Sequence, residues 1–329
     1  MNALEINTIN LIADIGGTNI RLALADKSCK ANYKEIETYR CAEFNSLADV
    51  LGLYINNKQL SGLVINACLA IACPVDDDLI SMTNLPWQFS QTDLKSQLKL
   101  NNLTLINDYT AIAMAIPLLS DKQKVKVGGG KVLANKPIAV CGPGTGLGVA
   151  NLVPVSTSGV SQWHCFGGEG GHVDFAPIGE QEITVLRYLN TIKKRVSYEQ
   201  LLSGYGLEQI YQALVNKENK ELKLTLSAEE ISTQGLEKTC PLCHQALLIF
   251  CQTLGSFAGN LALIMNSQGG VYIAGGIVPR FIDFLKASQF RERFETKGRL
   301  SHITLQTPTY VITEQQPGLL GAAAYLLQQ

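Results

Sequence analysis

Residues 11–25 read L-I-A-D-I-G-G-T-N-I-R-L-A-L-A. An apolar run closes on Asp14, two glycines follow, and after Thr18 and Asn19 a second apolar run begins at once. The pattern is strand, tight turn, strand, with a carboxylate at the mouth of the turn. Gly16 and Gly17 tolerate positive φ and leave backbone N–H groups with no side chain in front of them. Such a turn can grip a phosphate, and Asp14 is placed to hold the Mg2+ that accompanies one. Taken alone, the stretch reads equally well as a structural hairpin carrying a surface aspartate.

Residues 138–153 repeat the logic about 120 residues later, as I-A-V-C-G-P-G-T-G-L-G-V-A-N-L-V. Gly144, Thr145 and Gly146 offer a second set of bare N–H donors and one hydroxyl. Pro143 has no N–H and is not counted among the donors. Neither the dinucleotide G-x-G-x-x-G nor the P-loop G-x-x-x-x-G-K-[ST] occurs in the chain. An internally duplicated chain follows, with one glycine hairpin per lobe and a cleft between the lobes. A third glycine turn lies at 271–280, V-Y-I-A-G-G-I-V-P-R, where a buried strand meets Gly275-Gly276 and a helix starts near Pro279.

Between these markers strands and helices alternate, which is α/β organisation. Strands are expected at 33–41, 62–72, 79–83 and 103–106. Helices are expected at 46–56, capped by Ser46, at 90–99, with Ser90 and Asp93 as a capping box, at 111–118, across most of 183–257, and at 318–327. Asn107-Asp108 follows the buried strand 103–106. Ligands in open α/β sheets sit at the carboxyl ends of strands, so Asp108 is a general-base candidate; capping the next helix is the plainer alternative.

Residues 167–174 read G-G-E-G-G-H-V-D. Glycines around Glu169 and His172 let both side chains enter a tight pocket. A carboxylate and an imidazole suit sugar hydroxyls, which donate and accept hydrogen bonds at once. Asp174 reads as a further ligand or a turn former, and Glu199, in V-S-Y-E-Q, as a helix carboxylate. Cys240-x-x-Cys243-His244 lacks the second half of a closed zinc site and reads as helix-core cysteine. Cys141 reads as a buried strand thiol.

The 329 residues are 46% apolar and 17% charged, with a net charge of −1. That length accommodates two domains, and the composition excludes a disordered chain. No basic stripe marks a nucleic-acid or anionic-membrane partner. Nine scattered cysteines in a chain of this size fit a reducing compartment. The expectation is a chain without a signal peptide and without an apolar run near the ~20 residues of a membrane span.

Seven strings together resemble bacterial ATP-dependent glucokinases. They are D-I-G-G-T-N (14–19), M-T-N-x-x-W-x-F-S (82–90), I-N-D (106–108), G-T-G-L-G-V-A (144–150), G-E-G-G-H-V-D-F-A-P (168–177), L-S-G (202–204) and I-A-G-G-I-V-P-R (273–280). They run end to end in the family's order. The resemblance implies the actin-like, ribonuclease-H-like two-lobed fold with an interlobe active-site cleft. It implies a small lobe of residues 1–118 plus about 312–329 and a large lobe of 119–311. D-glucose and ATP would be the substrates, with Mg2+, a cytoplasmic location and a homodimer. By position, Asp108 would be the catalytic base, and Asn107, Glu169, His172 and Glu199 the sugar contacts. Ala13, Asp14, Ile15, Gly16, Gly17 and Thr18 with Gly144, Thr145 and Gly146 would hold the phosphates. Gly275 and Gly276 would lie on the adenosine side, and Asp14 would meet Mg2+ through water. Pro143 departs from the small residue expected there. The multi-cysteine zinc motif of the related repressor–kinase group does not follow His172. The alternatives are a kinase for mannose or an N-acetylhexosamine, a sugar-sensing regulator, and an actin-type structural ATPase.

Overall fold

The apolar alternation that flanks Gly16-Gly17 forms β1 (Thr8–Ile15) and β2 (Asn19–Ala25), paired antiparallel with Ile15 opposite Ile20 and Asp14 opposite Arg21. Leu11, Ile12, Ala13, Ile15, Ile20 and Leu22 are fully buried, so both faces of the hairpin are covered. This is a computed structural model, and it describes residues 8–26, 32–82, 85–157, 160–218 and 225–328. The chain divides into two compact units, Met1–Ser120 with Glu314–Gln329, and Asp121–Thr313.

In the first unit β3 (Tyr33–Arg40) extends the hairpin on the β2 side. The helix α1 (Leu47–Asn57) begins at Ser46, whose hydroxyl accepts the Asp49 N–H at 3.2 Å. Then β4 (Val64–Ile71) runs parallel to β1, as its near-continuous apolar sequence requires. A two-stranded ribbon follows, β5 (Leu79–Ser81) with β6 (Gln88–Ser90); Thr83, at the end of the expected strand, lies outside the described residues. In α2 (Gln91–Gln97) only half of the expected capping box forms. Ser90 accepts the Asp93 N–H at 3.1 Å, but its hydroxyl donates to Asp78 at 2.6 Å. Finally β7 (Asn102–Asn107) pairs with β4, and α3 (Asp108–Ala115) leaves it directly, three residues earlier than the apolar pattern indicates. The sheet order is β3-β2-β1-β4-β7.

The second unit repeats this order. After β8 (Lys124–Gly128), the hairpin β9 (Ile138–Pro143) and β10 (Leu147–Thr157) is extended by β11 (Val160–Gly168). The helices α4 (Glu180–Ile192), α5 (Gly204–Lys217), α6 (Ala228–Glu237) and α7 (Pro241–Ile264) come next. Then β12 (Val271–Ile273), α8 (Ile282–Ala287), α9 (Phe290–Glu295), α10 (Ser301–Gln306) and β13 (Thr309–Ile312) complete the unit. The order β11-β10-β9-β12-β13, with β8 added at the edge, has the same antiparallel and parallel pairings as the first sheet. The duplication expected from two glycine hairpins is therefore present in the sheets themselves.

The core of the second unit is built on α7, where Leu247, Ile249, Phe250, Cys251 and Leu254 are fully enclosed. The sequence reading expects no apolar segment of membrane length. At 24 residues α7 passes that test by length and composition, and most of it is buried within its unit. Its N-terminus explains the Cys240-x-x-Cys243-His244 string. The Cys240 sulfur accepts the Cys243 N–H at 3.4 Å, and the His244 ring lies 2.8 Å from the Gly235 carbonyl. The last helix, α11 (Pro317–Leu326), belongs to the first unit and packs on α3, β1 and β4.

Candidate active site

Three parallel strands end together in the first unit. Ile15 of β1, Ile71 of β4 and Asn107 of β7 stand in one register row. The first glycine turn and the Asn107-Asp108 pair therefore leave the same edge of the sheet, two strand spacings or about 10 Å apart. Asn107, in extended conformation, is the N-cap of α3, and its side chain accepts the Tyr109 N–H at 2.9 Å. Asp108 is the first helical residue, and its own Oδ1 also lies 2.9 Å from the Tyr109 nitrogen. The Tyr109 N–H is thus shared between the Asn107 cap and one oxygen of Asp108. Burial pushes the Asp108 carboxyl from 3.8 up to about 6, against the Tyr109 N–H bond that lowers it; the charge of Asp14 adds to the rise. A carboxylate in that range is poised to take a proton near neutrality.

Asp14 stands 3.5 Å from the Arg21 guanidinium across the β1–β2 ladder. Burial raises its pKa, and Arg21 opposes the rise. A Cβ at Gly318, in the first turn of α11, would lie 2.7 Å from the Asp14 carboxyl carbon. Glycine there lets the start of α11 close on the carboxylate. Cys41 clasps the turn from another side, its N–H on the Thr18 carbonyl at 2.9 Å and its thiol 3.5 Å from the Gly16 carbonyl. Sequence reading assigns Arg21, Gly318 and Cys41 no role at the site; Gly318 opens the helix expected at 318–327 and Cys41 closes the strand expected at 33–41.

Both turns hold fewer free donors than their glycines suggest. The Gly16 N–H donates to the Asn19 carbonyl at 3.0 Å, and the Gly144 N–H to the Gly146 carbonyl at 2.8 Å. These two groups close their own turns, so of the turn glycines' N–H groups these two are not open to an anion.

In the second unit the G-E-G-G-H segment forms a short 3-10 turn, 170–172, with Glu169 at its N-cap and the His172 N–H on the Glu169 carbonyl at 3.0 Å. Its glycines are required by the strand beneath. A Cβ at Gly171 would lie 2.2 Å from the Leu147 carbonyl oxygen, and one at Gly170 would crowd Val149. Glu199 sits on a second 3-10 turn, 198–200, rather than on a regular helix. Its Oε1 is 3.7 Å from the His172 Nε2, and its Oε2 accepts the Leu147 N–H at 2.9 Å. Asp174 is held by an ion pair. It binds Arg195 at 2.5 Å, and Arg195 also donates to the His172 carbonyl at 2.5 Å, which ties the loop to the segment after α4.

Gly275, at φ +86°, could not carry a side chain, because its Cβ would meet the Pro143 carbonyl oxygen at 2.3 Å. The third glycine turn is thus seated on the end of β9. Around Gly276 the space is open. Cys141, beneath the turn, is fully buried, and burial pushes its thiol up to about 12.

No group of three or more His, Cys, Asp or Glu side chains is placed to hold a metal ion among the described residues. The acidic groups available near the first turn are Asp14 and Asp108. That set suits Mg2+, which keeps several waters and is bound by one or two carboxylates plus substrate phosphates.

A family model described as Glucokinase matches residues 11–329. A glucokinase of Colwellia psychrerythraea is 64% identical over 331 residues, covering 99% of this chain and 98% of its own. Among solved structures, a glucokinase from an Antarctic psychrotroph matches at TM-score 0.88 with 36% identity, covering 98% of this chain and 99% of that one. A Balamuthia mandrillaris glucokinase, solved in complex with glucose, matches at TM-score 0.78 with 22% identity over 98% of this chain and 94% of its own; at that identity the likeness bears on the fold.

Proposed function

The chain belongs to the glucokinase family, and from that premise we propose how its residues carry out the family's reaction. It is an ATP-dependent hexose phosphotransferase of the actin-like fold. It moves the ATP γ-phosphoryl group to the 6-hydroxyl of D-glucose, giving glucose 6-phosphate and ADP.

Asp108 accepts the proton of the 6-hydroxyl as the new P–O bond forms and the bond to ADP breaks. The observation that carries this role is a carboxylate at the carboxyl end of β7, raised by burial to about 6 although its Oδ1 accepts the Tyr109 N–H. General-base help of this kind contributes about 10²–10⁴-fold, and alignment of the phosphates supplies more. Asn107, Glu169, His172 and Glu199 hold the sugar. The turns 16–18 and 144–146 hold the phosphates, with Ala13 and Ile15 shaping the first of them. Gly275 and Gly276 border the adenosine. Asp14 holds Mg2+ through water, and the ion, when bound with ATP, neutralises phosphate charge. The protein works as a cytoplasmic homodimer, the state that accompanies this family, and sedimentation at twice the chain mass tests the dimer.

The test of the base is Asp108→Ala with glucose 6-phosphate formation as the readout. A fall in kcat of at least about a hundredfold with little change in glucose KM is expected. A variant with near-normal kcat would refute the assignment.

A further inference from the structure

We propose that Glu199 is a positioning residue for the 144–147 turn as well as a sugar contact, so that one carboxylate serves both substrates. The proposal rests on the reading above that Glu199 holds the sugar and that the turn holds phosphate. Its two oxygens are divided. Oε1 faces the His172 ring at 3.7 Å, while Oε2 accepts the Leu147 N–H at 2.9 Å.

The turn is built around that bond. A Cβ at Gly146 would lie 2.6 Å from Glu199 Oε2, so glycine at 146 keeps the carboxylate in place. The other side of the same residue is fitted to the sugar loop, because the Leu147 carbonyl lies where a Gly171 side chain would begin. At the far end of the turn, the Gly144 carbonyl accepts the Gly204 N–H at 2.9 Å, one residue beyond Ser203, the N-cap of α5. Glu199 itself stands just before α5, on the 198–200 turn. Two segments of the L-S-G neighbourhood therefore fix the two ends of the phosphate turn. A hydrogen bond to an ionised carboxylate is stronger than a neutral one and holds the turn in a single register.

The substitutions separate the two duties. In Glu199→Gln the amide oxygen still accepts the Leu147 N–H, while the charge toward His172 and the sugar is lost. Glu199→Ala loses both. Affinity for a non-hydrolysable ATP analogue with Mg2+ is measured by calorimetry without sugar, beside glucose KM at saturating ATP. We expect Glu199→Gln to keep analogue affinity within about twofold of wild type while glucose KM rises at least about tenfold. Glu199→Ala should weaken the analogue by about fivefold or more. Gly146→Ala, which displaces the carboxylate without changing it, should weaken the analogue in the wild-type background and much less in Glu199→Ala. Thermal unfolding confirms that each variant folds; should Glu199→Ala fail to fold, Glu199→Gln and Gly146→Ala decide the matter. Analogue affinity unchanged in Glu199→Ala or in Gly146→Ala, or equally weakened in Glu199→Gln and Glu199→Ala, would overturn the proposal. A wild-type chain that binds no ATP analogue would overturn the functional reading itself, which separates the two failures.

Discussion

Replacing Asp108 by asparagine should make the protein inactive and more stable. The carboxyl is lifted from 3.8 to about 6, chiefly by burial. A group whose folded pKa is raised favours the folded state when protonated. The stability it confers is complete below the unfolded value of 3.8 and is lost as pH rises through about 6. Above that pH the ionised side chain opposes folding. At ~1.4 kcal/mol per pKa unit the ceiling is about 3 kcal/mol, and partial exposure reduces the expected gain to about 1–3 kcal/mol. Asparagine removes the charge and keeps an oxygen for the Tyr109 N–H. Denaturant unfolding of wild type and Asp108→Asn at about pH 8 should show the variant more stable by that amount, and the difference should vanish near pH 4. Over the same range kcat/KM of the wild type should rise through an apparent pKa of about 6. A variant less stable than wild type at about pH 8, or a difference independent of pH, would refute the account of Asp108 as a buried carboxylate held ready for a proton.

Other perturbations have equally definite outcomes. Gly275→Ala forces a side chain into the left-handed region and onto the Pro143 carbonyl; it should cost about 2 kcal/mol or more in unfolding and raise the KM for ATP over that for glucose. Ser46→Ala removes the N-cap of α1, remote in sequence from every proposed site residue, and should cost about 1 kcal/mol in denaturant unfolding with kcat unchanged. The Cys141 thiol, held near 12, should resist an aromatic disulfide reagent in the native protein at about pH 8 and react on unfolding; rapid native labelling would contradict its burial. Chelation of divalent cations should abolish sugar phosphorylation, and added Mg2+ should restore it.

The features legible in the sequence are those with a local physical cause. Glycine pairs between apolar runs identify the two hairpins, because only glycine leaves backbone N–H groups bare in so tight a turn. Asn107-Asp108 is recognisable because a polar pair ends a buried strand. The duplication is legible for a related reason: the same strand, glycine turn and strand recur in each unit, after β8 in the second. What the sequence does not display are bonds whose partners are far apart along the chain or depend on the turn's internal geometry. Nothing near residue 147 announces Glu199, 52 positions away, and nothing near Asp14 announces Gly318. The loss of the Gly16 and Gly144 N–H groups to their own turns depends on where the Asn19 and Gly146 carbonyls point, which composition does not determine. Helix α7 falls largely within the helical stretch expected at 183–257, but its membrane-length apolar character is not legible, for another reason. Scattered Gln and Asn residues interrupt its apolar run, yet it closes the core of its unit.

The most direct measurement is the initial rate of ADP formation with ATP and Mg2+ across glucose, mannose and N-acetylhexosamines, with the sugar phosphate identified in each case. The account predicts that glucose gives the highest kcat/KM and that its product is the 6-phosphate. A higher kcat/KM for another hexose, phosphorylation at another hydroxyl, or ATP turnover indifferent to sugar would contradict it.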